Sequence, residues 1–364
     1  MSGTSADGVD AALVNIKNDT LIVISTRSTP FSPSTREAIL EACDLKPLRA
    51  EQVPELDSEL AHCYAESVTS LLEETKLNAS DIVAIGNHGQ TVNHAPDATP
   101  PFSLQIGNAK LLADLTDINV VSDFRSADMA AGGQGAPLAP IIHNHLLRSS
   151  TENRVVVNLG GIANITILPK DLNETVTGFD TGPANGLMDY WINKHLSKNY
   201  DQDGAWAANG IVQEKLLMQL LDDDYFKLSP PKSTGREHFN ASWLERKLEH
   251  YGQINPQDVQ ATLCQLTATS LTNDIKRYAA DCSTLIVCGG GSHNKELLSR
   301  LQQQLPEATI ESSAKHGIDP DFVEAIAFAW LAYRHMNNLS GNLPSVTGAS
   351  KETVLGKLTQ PSET

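Results

Sequence analysis

Gly178-Phe179-Asp180-Thr181-Gly182-Pro183-Ala184-Asn185-Gly186 sets a carboxylate at the end of an alternating apolar-polar run, just ahead of a Gly-Pro turn. Leu187, Met188, Trp191, Ile192 and Leu196 then keep helical spacing. An acid at a strand end, beside the amides that open a helix, is a common place for chemistry. The alternative is that Asp180 only caps that helix or turn.

Moving outward from Asp180, 154–159 reads as a strand, Gly160-Gly161 as its turn, 162–168 as its hairpin partner and 174–179 as a third strand. Downstream, 204–221 has a helical Ala/Leu pattern and 226–239, polar and Pro-containing, reads as a surface loop. A long helix over 258–280 buries Val259, Leu263, Leu266, Ile275 and Tyr278. Residues 285–288 form a strand running into Gly289-Gly290-Gly291-Ser292. A helix over 295–304, a strand near 309–311 and a helix over 322–336 follow, and the tail from Asn337 reads as irregular.

The first half has the same pattern. Gly3-Thr4-Ser5-Ala6-Asp7-Gly8 is a Gly-containing turn followed by strands at 11–16 and 21–26, although the strand expected before it is missing. Helices are predicted over 36–42 and 54–77, and strands at 82–86 and 119–122. Asn87-His88-Gly89-Gln90-Thr91 ends the first of these strands, and Pro137 follows a loop of small residues at 130–136. Alternating strands and helices indicate an α/β protein. The two comparable turns indicate two like domains facing a cleft, with the boundary within 125–152. Placed at its start, that boundary gives domains 1–125 and 126–364, the second including the C-terminal helix and tail.

The totals limit the partners. Among 364 residues, 40% are hydrophobic and the formal net charge is −17, which argues against nucleic acid and anionic membrane surfaces. No apolar run approaches the ~20 residues that span a bilayer. The five cysteines include no C-x-x-C pair. A reducing, cytoplasmic setting is expected.

Three glycine turns, at Gly3 to Gly8, at Gly160-Gly161 and at Gly289-Gly290, can bring backbone N–H groups close to an anion. No Walker or Rossmann glycine motif is present, so a nucleotide would be held by two hairpin turns. For phosphoryl transfer, Asp180 suits a base and Asp7 suits a Mg²⁺ contact through water, with Asp10 as its competitor. His88 is a hydrogen-bonded turn residue or part of a sugar site, and Gln90 and Thr91 can bind sugar hydroxyls. Arg125 pairs with a carboxylate or phosphate, or forms a surface salt bridge. Glu324, among apolar neighbours, is buried with a partner or faces a cleft. His143 and His145 cannot share a helical face and give no metal site.

These motifs occur in order with Asn158-Leu159-Gly160-Gly161-Ile162-Ala163-Asn164, Cys288-Gly289-Gly290-Gly291 and Glu324-Ala325-Ile326-Ala327-Phe328-Ala329. Together they resemble the anhydro-N-acetylmuramic acid kinase family across nearly the whole chain. The resemblance implies two similar ribonuclease-H-like, actin/hexokinase-type domains flanking an ATP and sugar cleft. It implies ATP-dependent conversion of 1,6-anhydro-N-acetylmuramic acid to N-acetylmuramic acid 6-phosphate, in peptidoglycan recycling and amino sugar catabolism. Asp180 would deprotonate the water that opens the anhydro ring. Residues Gly3, Thr4, Ser5, Ala6, Asp7, Gly8, Val9 and Asp10 would hold ATP phosphates with Mg²⁺, completed by Gly160, Gly161, Gly289 and Gly290. His88, Gln90, Thr91, Arg125 and Glu324 would serve the sugar, and a homodimer is implied. Family members carry a further inner strand before the first turn. The rival expectations are a kinase for a related anhydro sugar such as levoglucosan, and a truncated, non-catalytic ATP- or sugar-binding protein.

Overall fold

The computed structural model describes residues 1–3, 6–44, 53–249 and 251–363. Thr4 and Ser5 of the first glycine turn lie outside them. The chain divides into two compact units, one made of 1–142 and 322–364, the other of 143–321.

The first unit opens with the hairpin β1 (Gly8–Lys17) and β2 (Thr20–Pro30), followed by helices α1 (Pro33–Asp44) and α2 (Pro54–Thr75). Strands β3 (Ile85–Gly86), β4 (Gln90–Ala95) and β5 (Phe102–Ile106) lead to α3 (Ala109–Thr116), β6 (Val120–Ser122) and α4 (Ser126–Ala130). α5 (Ala139–Leu147) carries the chain into the second unit. That unit holds β7 (Arg154–Leu159), β8 (Ile162–Leu168), β9 (Thr177–Pro183), α6 (Asn185–Leu196), α7 (Ala205–Ala208), α8 (Glu214–Leu221), α9 (Ala241–Leu248), α10 (Pro256–Tyr278), β10 (Thr284–Cys288), α11 (Lys295–Gln304) and β11 (Thr309–Ser312). The chain returns to the first unit with α12 (Val323–Met336), α13 (Pro344–Thr347) and β12 (Lys357–Thr359).

The sheet of the second unit runs β11-β10-β7-β8-β9, with β7, β8 and β9 antiparallel and β10 parallel to both β7 and β11. Its central strands are covered on both faces, so Val155, Val156 and Val157 are fully buried and the run is continuously apolar. One face packs on Leu263, Leu266 and Leu271 of α10 and on Leu297 and Leu301 of α11. β7 and β8 match the sequence reading to the residue.

In the first unit the hairpin β1–β2 forms one sheet, β12-β6-β3 a second and β4–β5 a third. On the β1 edge away from β2, Met1 and Asp10 exchange two hydrogen bonds. The Met1 amino group donates to the Asp10 carbonyl (3.0 Å) and the Asp10 N–H to the Met1 carbonyl (2.8 Å). A cavity of about 690 Å³ continues along that edge, between Ala12 and Val14 of β1, Leu71 of α2, Ile85 of β3 and Ala329 of α12. Burial lowers the pKa of the Met1 ammonium to about 6.

The structure corrects several expectations. The change of unit after residue 142 falls within 125–152, while residues 126–142 and the helix and tail after 321 group with the first unit and not with the second. The cause is packing: α12 lies against β1 and β3, and a Cβ on Gly86 would collide with the Phe328 carbonyl. The tail is also less irregular than read, since β12 pairs antiparallel with β6. Residues 90–95 form a strand paired with β5, and the strand expected over 82–86 shortens to Ile85–Gly86. The loop 226–239 is not wholly superficial, because Lys232 and Phe239 are buried.

Candidate active site

Asp180 lies within β9, opposite Asn164 of β8. The register slips here, so that Gly182 rather than Thr181 faces Ala163. A bulge of this kind bends the strand and re-aims its side chains. The Thr181 hydroxyl fills the slip by donating to the Ala163 carbonyl at 3.3 Å. The Asp180 carboxylate does not cap α6. Its Oδ2 accepts the N–H of Thr234 at 2.9 Å. The first amides of α6 are used elsewhere: Ala184 and Gly186 donate to the Gly161 carbonyl and Asn185 to that of Gly160.

Three further groups surround Asp180. Its own N–H donates to the Lys232 carbonyl (3.3 Å), and the Tyr225 hydroxyl donates to the Asp180 carbonyl (2.7 Å). Lys232 Nζ forms a buried ion pair with Asp274 of α10 at 2.8 Å. Burial pushes the Asp180 pKa up to about 7; the Thr234 N–H opposes this, Glu237 adds to it and Lys232 opposes it. A carboxyl group titrating near neutrality can take a proton during turnover and release it afterwards.

The two glycine turns of this unit stand side by side, because Cys288 at the end of β10 is in register with Asn158 near the end of β7. Gly289, at φ +77°, packs so closely on Asn158 and Leu159 that a side chain would collide. By contrast, a Cβ added at Gly161 or Gly290 meets nothing within 4 Å. Those two positions leave an open face where a ligand can approach the backbone. Ser292 Oγ, next to the second turn, and Thr234 Oγ1 are buried without a partner among the described residues. Orphaned polar atoms at such places suit a polar ligand.

In the other unit, His88, Arg125 and Phe328 form a cluster. Arg125 donates to His88 Nε2 (2.8 Å) and to the Gly135 carbonyl (2.6 Å). A guanidinium only donates, so Nε2 of His88 accepts and Nδ1 carries the hydrogen toward the Gly89 carbonyl at 2.9 Å. The His88 ring stacks on Phe328 with centroids 4.4 Å apart. Burial, reinforced by the Arg125 charge, holds the His88 pKa well below the usual range. Burial also lowers that of Arg125 to about 10, against the favourable field of Glu324 and Asp128. Arg125 is therefore not a surface ion pair. Its Nε has no partner among the described residues, and neither does the buried Oε1 of Gln90. His88 also lines a polar cavity of about 270 Å³ with Gln105, Ser122, Asp123 and Ser126.

Gln90 joins this cluster to the first glycine turn by donating to the Gly3 carbonyl at 3.3 Å. Ala6, at φ +51°, closes that turn through its N–H to Gly3. The Ala6 and Val9 side chains belong to the core with Leu60 and Tyr64, so only their backbone can face a ligand. The Asp7 side chain is exposed, Thr91 accepts a bond from Gln105, and Asp10 pairs through its backbone with Met1. Among the described residues no group of three or more His, Cys, Asp or Glu side chains could hold a metal ion. The sequence reading missed Tyr225, Lys232, Thr234 and Asp274. The one usable signal was Asp274, an acid set between Leu271 and Tyr278 on the apolar face of a long helix.

A buried carboxyl group on a bulged strand, in the same unit as two glycine turns with open faces, is an arrangement found at enzyme sites. A family model described as anhydro-N-acetylmuramic acid kinase matches residues 1–361. The chain is 47% identical over 365 residues to the anhydro-N-acetylmuramic acid kinase of Photobacterium profundum, covering 98% of this chain and 96% of that one. It is 46% identical over 356 residues to the protein of the same name from Shewanella pealeana, with the same coverage. The chain belongs to the anhydro-N-acetylmuramic acid kinase family. It is an enzyme, an ATP-using phosphotransferase of anhydro sugar metabolism and cell-wall recycling. Two solved structures are far more distant. They are an activator of 2-hydroxyisocaproyl-CoA dehydratase from Clostridium difficile with bound ADPNP (12% identity, 91% of this chain and 96% of that one, TM-score 0.44) and component A of the (R)-2-hydroxyglutaryl-CoA dehydratase of Acidaminococcus fermentans (10%, 88% and 99%, 0.42).

Proposed function

We propose that Asp180 is the general base of a coupled hydrolysis and phosphoryl transfer on 1,6-anhydro-N-acetylmuramic acid. A water molecule gives its proton to Asp180 and its oxygen to C1. The C1–O6 bond breaks, O6 takes the γ-phosphoryl group of ATP, and ADP leaves. The products are N-acetylmuramic acid 6-phosphate and ADP. The observation that carries this reading is the Asp180 carboxylate, fixed by the Thr234 N–H and held at a pKa of about 7. An ordinary aspartate, titrating near 4, is a weaker base at neutral pH.

The other residues divide by chemistry. Gly160, Gly161, Gly289 and Gly290 offer backbone to the phosphates. The family resemblance gives the same role to Gly3 to Asp10, of which Thr4 and Ser5 lie outside the described residues. Arg125, His88, Gln90, Thr91 and Glu324 bind the sugar. Unused donor and acceptor atoms on Arg125 and Gln90 suit its hydroxyl, acetamido and carboxylate groups. Mg²⁺ would neutralise charge on the transferred phosphoryl group. Asp7, exposed and in no cluster of metal-ligating side chains among the described residues, suits a contact through water. The enzyme works as a cytoplasmic homodimer. The five cysteines are present as thiols, which suits a reducing compartment, and no described helix is long and apolar enough to cross a membrane.

The test is Asp180→Asn, assayed with ATP, Mg²⁺ and the anhydro sugar while ADP and sugar phosphate are both followed. Turnover should fall by at least ~10²-fold with ATP binding retained. Near-normal turnover removes Asp180 from the reaction.

A further inference from the structure

Lys232 and Asp274 form a buried ion pair in the second unit, with side chains 1% and 8% exposed. Buried pairs contribute little to stability on balance, because desolvation offsets their attraction. This one stands on the segment that holds Asp180. Lys232 accepts the Asp180 N–H through its carbonyl, and two residues later Thr234 donates to the Asp180 carboxylate. The Lys232 ammonium also lies over two rings, 5.6 Å from the centre of Phe179, the neighbour of Asp180, and 5.2 Å from that of Tyr225. Tyr225 in turn donates to the Asp180 carbonyl. The ammonium therefore fastens the segment to α10 through Asp274 and to β9 through Phe179, leaving Thr234 at a fixed place against the carboxylate.

We propose that Lys232, clamped by Asp274, is a positioning residue for Asp180: it seats the Thr234 N–H on the carboxylate and supplies the positive field there. The proposal rests on the reading of Asp180 as the base. The charged and titratable groups facing this place are Glu237 and Lys232 from the loop, Tyr225 from the turn before it, and Asp274 and Arg277 from α10. Lys232 favours the ionised form of Asp180 and Glu237 opposes it. Asp274 bears on Asp180 through the lysine charge that it partly neutralises.

The experiment is the pH profile of kcat for K232M, K232R and D274N, together with direct titration of the Asp180 carboxyl by carbon NMR on aspartate-labelled protein. K232M should move the acidic limb and the Asp180 titration upward by about one pH unit, with a fall in kcat and little change in the KM for ATP. D274N, which frees the lysine charge, should move both downward. K232R, which keeps the charge, should restore most of the wild-type profile. Removing one partner can leave a buried charge alone and unfold the protein. K232M/D274L, which replaces both by apolar groups, keeps the test open and should still show the upward movement. Unchanged profiles and titrations in folded K232M or K232M/D274L, or movement in the same direction for K232M and D274N, overturn the proposal. If D180N keeps its activity, the reading of the base fails instead, and the NMR titrations still report whether Lys232 acts on Asp180.

Discussion

The N–H of Thr234 meets Oδ2 of Asp180 at 2.9 Å although 54 residues separate them in the chain. This single backbone donor stabilises the ionised carboxylate where burial opposes it. The acidic limb of kcat should therefore fall near pH 7, with activity rising as pH rises through it, because the base must be unprotonated. A steady-state pH series at saturating ATP checks this.

The same carboxyl group links stability to pH. Its folded pKa, about 7, lies above the ordinary aspartate value of 3.8. The folded state thus holds the proton more tightly, and stability is lost as pH rises from about 4 to about 7. Asp180→Asn escapes this loss. It should be more stable than wild type at pH 8, by on the order of 1–2 kcal/mol after discounting for partial exposure, and no more stable at pH 4. Urea unfolding at the two pH values measures the difference.

Gly161 and Gly86 should respond in opposite ways to alanine. At Gly161 a methyl group meets no atom within 4 Å, so Gly161→Ala should change stability by less than ~0.5 kcal/mol while obstructing phosphate and raising the KM for ATP. At Gly86 the methyl group would strike the Phe328 backbone of α12, which cannot yield as a side chain can. Gly86→Ala should cost roughly 3 kcal/mol or more, or prevent folding. Thermal melts beside ATP kinetics separate the two outcomes.

Arg125→Lys should not behave as a conservative change. Lysine cannot reproduce the fork that reaches both His88 Nε2 and the Gly135 carbonyl. The variant should raise the KM for the sugar without a matching change for ATP, and lose about 1–3 kcal/mol of stability from a buried acceptor left unpaired. Kinetics with each substrate varied in turn, and denaturant unfolding, test both parts.

Asp128 is fully buried and accepts bonds from the Gly135 N–H (2.8 Å), Asn342 Nδ2 (2.7 Å) and Thr347 Oγ1 (2.7 Å). Asp128→Ala removes the acceptor shared by three donors, leaving the Gly135 N–H without its partner, and should destabilise the first unit by about 2–3 kcal/mol. Hydrogen exchange should show lost protection at 126–135 and 342–350, with the sheet of the second unit unaffected.

Strands such as Val155-Val156-Val157 were legible because their burial on both faces leaves a continuous apolar run, and the helix over 295–304 because its caps and spacing are local. Asp180 was legible as an acid after an alternating run. What surrounds it was not, since Thr234 acts through its backbone and Lys232 lies in a polar, Pro-containing stretch that reads as solvated. Nor was the place of β12, because three residues that pair with β6 across more than two hundred positions leave no local periodicity. The return of the chain to the first unit after 321 was not legible for the same reason: packing and strand pairing at a distance, not composition, group α12 and β12 with it.

The discontinuity of that first unit sets an order of events during synthesis. Residues 143–321 form one unbroken stretch, so that unit has all its parts once residue 321 has emerged. The unit begun earlier must wait for α12 to cover β1 and β3 and for Lys357–Thr359 to add the last strand beside β6. Until then its apolar sheet faces are uncovered and the β6 edge lacks its neighbour, a state in which chains associate wrongly. Of the two units, the one begun earlier is thus the one that stays incomplete longest.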